Sequence, residues 1–278
     1  MRATYRCGRT GSARHNDRDF DLTNSSHIDQ RRTDDNYNWH LFKHKLPNKT
    51  FSEVEEIFYT KQYSASLEAT NSRYRAQYHP ERCKTIKDLL KSPQTRPEEV
   101  ILQIGNMDDY PSPEVLMECM IEFTNQMARW NVQHGNHLHI LNFSIHLDEQ
   151  TPHVHLRRCW DYIDKDGHPR LGQEKALEAA GVELPDPTRK AGRYNNRKMT
   201  FDNMMRAKWY EILKSHGLEI ETEPLPRRKH MIKEKFIDSQ IAKKSEKVVE
   251  LEEQLEKLEK QVDWTKDLRD KQQELKEK

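Results

Sequence analysis

Residues 138–160 constrain the fold more than any other part of this 278-residue sequence. Leu138–Asp148 (LHILNFSIHLD) and His153–Trp160 (HVHLRRCW) both alternate apolar and polar positions with strand composition. Only a short polar segment ending in Pro152 separates them, so the pattern predicts an antiparallel hairpin. A hairpin needs further strands and a helical layer to bury its apolar face. Val100–Ile104 (VILQI) and Ala3–Cys7 supply strand candidates. Helices are predicted over 52–78, opened by a Ser52/Glu55 capping box, and over 114–133 after Pro111-Ser112-Pro113. The apolar stripe of the second, Leu116, Met120, Phe123, Met127 and Trp130, reads as core, and Gly135 as its stop. A short helix near Gln173–Ala180 follows, then one over Phe201–His216, capped by Thr200 and stopped by Gly217. Residues 1–50 read mostly as loop.

Charged residues make up 33% of the chain and mean hydropathy is −1.09, so the packed core cannot extend through all of it. The tail explains part of this. Ile241, Val248, Leu255 and Val262 recur at one heptad position, and Leu251 and Leu258 at another. This predicts a long C-terminal helix or coiled coil that offers a seam to a second copy or another protein. The expected boundaries are 1–225 for an α+β domain and 226–278 for the helical extension.

The net charge of +1 argues, taken whole, against a basic nucleic-acid binder. By segment it reads otherwise. Residues 1–50 carry ten Lys/Arg against six Asp/Glu, including Arg14, Arg18, Arg31 and Arg32, and residues 189–235 carry thirteen against six. The tail, with ten against twelve, offsets them. Two basic segments of this kind suit a DNA backbone. No apolar run approaches the ~20 residues of a membrane span, and the first residues show no apolar signal region. The four dispersed cysteines form no CxxC pair and suit a reducing cytoplasm. No P-loop or GxGxxG motif supports a nucleotide cofactor.

The histidines of the hairpin carry the chemistry. His153 and His155 share one strand face, and closure over Asp148–Pro152 brings His146 beside them. Three imidazoles can hold a divalent ion and leave positions open. Asp148 and Glu149, at the turn, can orient an imidazole or act on a proton. A facial triad using His146 and Asp148 is a rival ligand set. His137 and His139 repeat the same spacing without a third partner and read as a strand edge. A protein nucleophile for phosphorus would come from Tyr5, His15 or Tyr37. His15 stands out through Arg14-His15-Asn16-Asp17-Arg18, since arginine suits phosphate and asparagine supplies a hydrogen-bonding handle.

Residues 146–155, HLDEQTPHVH, resemble the third motif of the Mob/Pre (MobV) mobilisation and recombination relaxases, H-x-D-E-x-x-P-H-x-H. His15-Asn16-Asp17-Arg18 resembles their first motif, H-N-x-R. Asn36-Tyr37-Asn38-Trp39, after Ile28-Asp29, resembles their second, a NYDL-type segment. The resemblance covers about 1–220. It implies the HUH endonuclease fold, an antiparallel sheet of about five strands flanked by helices, followed here by the helical extension. It also implies a bacterial cytoplasmic enzyme that nicks and rejoins one strand of plasmid or mobile-element DNA at an origin of transfer, with Mn²⁺ or Mg²⁺. Position by position, His146, His153 and His155 would bind the metal and His15 would form the covalent bond to the DNA 5′ phosphate. Glu149 would sit beside the His15 imidazole, and Arg18 would help bind phosphate.

The sequence departs from the pattern at Asn38-Trp39, where the family has Asp-Leu, and at Leu156-Arg157-Arg158, where a small residue is common. The stretch Gly192-Arg193-Tyr194-Asn195-Asn196-Arg197-Lys198 reads as a DNA-contact loop. Tyr194 is the alternative nucleophile, by analogy with Rep-type HUH replication initiators. A non-catalytic DNA-binding or coiled-coil scaffold is the remaining alternative.

Overall fold

The computed structural model describes residues 1–221 except 9, 10, 24, 26 and 107, together with 242, 245–252, 254, 255, 257, 258 and 262. The chain divides into two compact units, Met1–Thr222 and Glu223–Lys278. The first is α+β. Its strands are β1 (Ala3–Gly8), β2 (Tyr37–His40), β3 (Glu98–Ile104), β4 (Leu138–His146), β5 (His153–Ile163) and β6 (Pro169–Leu171). They form an antiparallel sheet in the order β1-β3-β5-β4-β2, with β6 paired to β5. The hairpin expected at 138–160 is its centre, and the strands expected at 3–7 and 100–104 lie to one side. β2 and β6 are additions to the sequence reading.

The register places His146 directly opposite His153. A one-residue bulge in β4 makes this possible: Ile140 pairs with Arg158 but Asn142 with Arg157, leaving Leu141 as the extra residue. An extra residue reverses which face each later side chain takes. Leu138 and Ile140 before the bulge, and Phe143 and Ile145 after it, therefore all belong to the same core. His146 turns to the opposite face.

That core lies between one sheet face and the helices α4 (Pro113–Gln133) and α6 (Arg197–Ser215). Val100, Leu102, Val154 and Leu156 meet Met120, Phe123 and Met127 of α4 and Phe201, Met205 and Trp209 of α6. Trp209 is wholly buried and packs edge-on against Phe123 at 5.5 Å. Trp209→Ala should cost about 3–5 kcal/mol, measurable as a lowered urea midpoint; a loss under about 1 kcal/mol would mean that α6 is not part of the folding unit. The opposite face carries α1 (Ala13–Asn16) and α2 (Phe51–Ala76), with Phe58, Tyr59 and Tyr63 packed on Leu141 and Cys159.

Two helix starts differ from expectation. The capping box of α2 is Thr50 with Glu53, not Ser52 with Glu55; Glu55 is instead buried and paired with Arg157. α6 starts four residues before Phe201, capped by Asn196, whose side chain accepts from the Met199 amide, so Thr200 lies inside the helix. Gly135 and Gly217 follow α4 and α6 with φ of 89° and 76°, the left-handed conformation that lets a chain leave a helix. Short helices α3 (Ile86–Lys91) and α5 (Gln173–Ala179) complete the unit.

In the second unit the described positions between 242 and 262 are helical, and Val248, Leu251, Leu255, Leu258 and Val262 are exposed. Ile241 and the rest of the expected coiled coil lie outside the described residues. No helix among the described residues is long and apolar enough to cross a membrane.

Candidate functional site

The end of the hairpin brings four imidazoles together. Ring centroids of His146, His153 and His155 lie 4.7–5.3 Å apart, and His15 approaches His155 at 5.5 Å and His146 at 5.6 Å. Each of the three sheet histidines has one nitrogen fixed by an acceptor. His146 Nε2 donates to the Asn16 carbonyl at 2.8 Å, His153 Nδ1 to the Thr151 carbonyl at 2.9 Å, and His155 Nδ1 to Glu99 Oε1 at 3.1 Å. A carbonyl or carboxylate oxygen can only accept, so these contacts set the tautomers. The remaining lone pairs are on His146 Nδ1, His153 Nε2 and His155 Nε2.

His153 Nε2 and His155 Nε2 are 3.0 Å apart, two lone pairs directed at each other in the neutral rings. His146 Nδ1 is buried and has no hydrogen-bond partner among the described residues; Glu149 Oε1 lies 3.6 Å away. A proton or cation would relieve both features. Nitrogen ligands with their far nitrogens anchored on carbonyl and carboxylate oxygens are how proteins prepare a transition-metal site. His146, Glu149 and His153 offer ligand atoms within 4.8 Å of one another, as do His15, His146 and His155. Burial pushes His153 down to about 4 and lowers His146, so both rings are neutral and available as ligands at neutral pH.

His15 sits on α1, about one-third exposed, with its ring stacked on Phe20 at 5.9 Å. Burial, with His155 and Arg18 nearby, lowers it to about 4, which keeps it neutral. Several contacts hold α1 in place. Asp17 accepts from the Phe51 amide at 2.5 Å at the head of α2, and the Asn16 side chain donates to Glu99 at 3.0 Å. Arg157 is clamped by Glu55 and donates to the Gly11 carbonyl at 2.9 Å. A Cβ on Gly11 would lie 2.0 Å from Glu99 Oε2, so a side chain there would have to displace the carboxylate that His155 and Asn16 bond.

Arg18 connects α1 to the turn after β4. Its guanidinium meets Asp148 at 2.6 and 2.9 Å and Glu149 at 2.9 Å, with a side chain only 4% exposed. Thus its charge is neutralised inside the protein. Asp148, expected as a second catalytic carboxylate or a metal ligand, also accepts from Asn36 at 2.8 Å and Thr33 at 3.3 Å. Both its oxygens serve these internal bonds, so it anchors the turn. Glu149 differs: its Oε1 lies 3.9 Å from His15 Nε2. Burial alone would raise its pKa, but His146 and Arg18 hold it well below the ordinary carboxylate range.

The other expected residues separate into inner and outer sets. Asn16 is fully buried, so it is a framework residue and not a surface DNA contact. Asn195 is buried and donates to the carbonyls of Asp186, Arg189 and Lys190, Asn196 caps α6, and Arg197 pairs with Glu174 and Glu178. Lys198 bridges Glu98 and Asp202. These four thus hold the loop together, which leaves Arg193 and Tyr194 of that stretch outward. Tyr194 is 77% exposed beneath the Arg193 guanidinium and leads into α6, on the sheet face opposite the histidines. Arg14, Arg31 and Arg32 are exposed, with Arg14 beside Asp19 and Arg31 paired to Asp29, and Tyr37 is exposed against Phe143, on the core face of the sheet. Glu99, Asn36 and Gly11 were given no role from the sequence, and Glu55 only that of a helix cap. Only Asn36 carried a signal, as the first residue of the NYNW segment.

In comparison with solved structures, the fold aligns with the MobM relaxase domain (MOBV; Mob_Pre), in a Mn-bound crystal structure with plasmid pMV158 oriT DNA. The TM-score is 0.50 at 14% identity, over 86% of this chain and 99% of that one. The chain has the fold of a Mob/Pre relaxase domain. Two further Mn-bound crystal structures of that relaxase domain with pMV158 oriT DNA give TM-scores of 0.48 at 15% identity. At the level of sequence, no family model and no curated protein matches the chain. The likeness to the relaxase fold is therefore one of architecture, and the chemistry rests on the residues described above.

Proposed function

We propose that the chain is a metal-dependent DNA relaxase that cuts and rejoins one strand of plasmid or mobile-element DNA at an origin of transfer. The observation that carries this reading is the set of three anchored imidazoles, with ring centroids 4.7–5.3 Å apart, beside the neutral ring of His15. The relaxase fold shared with a Mn-bound, oriT-bound domain supports it. His146, His153 and His155 would hold a divalent ion, Mn²⁺ or Mg²⁺, which when bound supplies Lewis-acid polarisation of a phosphate oxygen.

The chain's own residues perform the transfer. The His15 lone pair attacks phosphorus; an N–P bond forms and the P–O3′ bond breaks. The strand's 5′ phosphate stays on His15, and the departing 3′ oxygen takes the proton that the imidazole gives up. Glu149, held ionised by Arg18 and His146, faces His15 and stabilises the positive ring that forms during attack. Arg18 positions both carboxylates. Rejoining reverses these steps. Exposed Arg14, Arg31, Arg32 and Arg193, with Tyr37, give the DNA backbone its contacts and make affinity fall with salt.

A supercoiled plasmid carrying the origin beside this gene tests the reading. In Mn²⁺ the protein should yield nicked DNA with covalently attached protein. His153→Ala should bind Mn²⁺ at least about tenfold more weakly in calorimetry and lose nicking. Absence of nicking in every divalent metal would favour a DNA-binding scaffold, and an adduct lost in Tyr194→Phe but kept in His15→Ala would favour a Rep-like initiator.

A further inference from the structure

A cavity of about 240 Å³ lies between the distal half of α2, α3 and the β5–β6 hairpin. None of the residues assigned above lines it. Tyr162 is seven positions beyond His155 on β5, about 23 Å along the strand, so the cavity is remote from the reacting histidines. Its volume is below the ~300–1,000 Å³ typical of sites for drug-sized molecules.

The lining has a specific chemistry. Tyr74 and Tyr162 contribute half-buried rings, and Arg82, Lys84 and Arg170 contribute cations; no carboxylate lines it. The rim is built from within. Buried Asn71 accepts from the Lys84 amide at 3.0 Å and donates to its carbonyl at 2.8 Å, which fixes the Arg82–Lys84 segment. Arg170 is held by Asp164 and the Ser66 carbonyl, at 2.7 and 2.9 Å, and by Thr70. Its charge is thereby spent on Asp164, and Arg82 lies 3.8 Å from Glu81, whereas no acidic side chain forms an ion pair with Lys84 among the described residues. On Tyr162, Lys175 Nζ lies 5.0 Å from the ring centroid and bonds the hydroxyl at 3.3 Å, so the ring is fixed too.

Aromatic rings beside a cation that has no acidic partner, in a preformed space of this size, are how proteins hold one nucleotide: the base stacks and the phosphate meets the cation. We propose that this cavity binds a single nucleotide unit, with the base against Tyr74 and Tyr162 and the phosphate at Lys84. Resting on the relaxase reading, the unit belongs to the DNA strand several nucleotides from the cut. A free nucleotide would present the same chemistry.

The two sources separate in a binding experiment on the full chain, using fluorescence polarisation with a 25-nucleotide single strand and calorimetry with dAMP and dTMP. Tyr74→Leu should weaken single-strand binding about tenfold, Tyr74→Trp should retain it, and Lys84→Gln should lower the salt dependence by about one phosphate contact. His15→Ala should leave all three differences intact, so a failed nicking assay does not decide this site. Mononucleotide binding that is lost in Tyr74→Leu, with strand binding unchanged, would keep the site and assign it to a free nucleotide. If Tyr74→Leu and Lys84→Gln, folded by thermal melting, bind strand and mononucleotides as the parent does, the proposal is wrong.

Discussion

His15→Ala should abolish the covalent protein–DNA adduct and reduce nicking by a factor on the order of 10⁶, the scale on which a covalent enzyme loses its nucleophile. Mn²⁺ affinity should change by less than about threefold. The second expectation is the discriminating one, because His15 also lies within ligand range of His146 and His155. The Arg18 guanidinium reaches to 3.4 Å of His15 Nε2, and a fixed cation beside that nitrogen disfavours a second one. The ring is therefore better suited to phosphorus than to metal. A large fall in Mn²⁺ affinity in His15→Ala would reverse this, making His15 a ligand and requiring another nucleophile. DNA binding without cleavage should persist in the variant, measured as an unchanged dissociation constant at fixed salt.

Arg158→Ala should destabilise the fold by about 3–5 kcal/mol, the usual cost of leaving a buried charge without its partner. Arg158 is fully buried on the core face and meets Glu98 at 3.0 Å, Asp202 at 3.4 Å and the Tyr5 hydroxyl at 3.3 Å. Lys198 completes a group of two cations and two anions that joins β3, β5 and α6. Arg158→Met with Glu98→Gln, which removes charge from both sides, should cost clearly less than Arg158→Ala alone. Burial would raise the Glu98 carboxyl, but Arg158 and Lys198 overcome it and hold it at about 2, against 4.5 for a free glutamate. Its contribution, on the order of 3 kcal/mol, is fully present above pH ~4.5 and is lost as pH falls through about 2. The parent should show a steep acid limb in denaturant midpoint between those values, and the double variant a shallower one. Equal limbs would mean that Glu98 is already neutral in the fold.

The sequence revealed those parts of the fold that repeat. The hairpin, α2, α4 and α6 show a period of 2 or 3.6 over enough residues to be read, and the histidines at 146, 153 and 155 follow from strand geometry plus one turn. β2 was hidden because it is four residues at the sheet's edge, and YNWH has little alternation to recognise. Arg157 and Arg158 look like solvated charge in a linear reading, yet they face opposite sides of the sheet and are both buried, one holding α1 and the other α6. Their partners Glu55, Glu98 and Asp202 are far away in sequence, and no spacing rule links them. The same is true of Asn195 to Lys198, whose basic and amide side chains are used inside the fold. Arg18 and Asp148 matched motif positions, but only their mutual contact shows that each occupies the other.

The extra residue in β4 has a consequence for comparing chains of this kind. Upstream of Leu141 the even-numbered positions carry the core, and downstream the odd-numbered ones do. An alignment guided by hydrophobic pattern alone would tend to slide one half of the strand by a residue, and with it His146. Distances should therefore be counted outward from Pro152, where His146 and His153 face each other across the hairpin, and a gap or insertion should be allowed at 141. For anyone redesigning the strand, a single-codon deletion there would leave composition almost untouched and yet send either the ligand or the core to the wrong side.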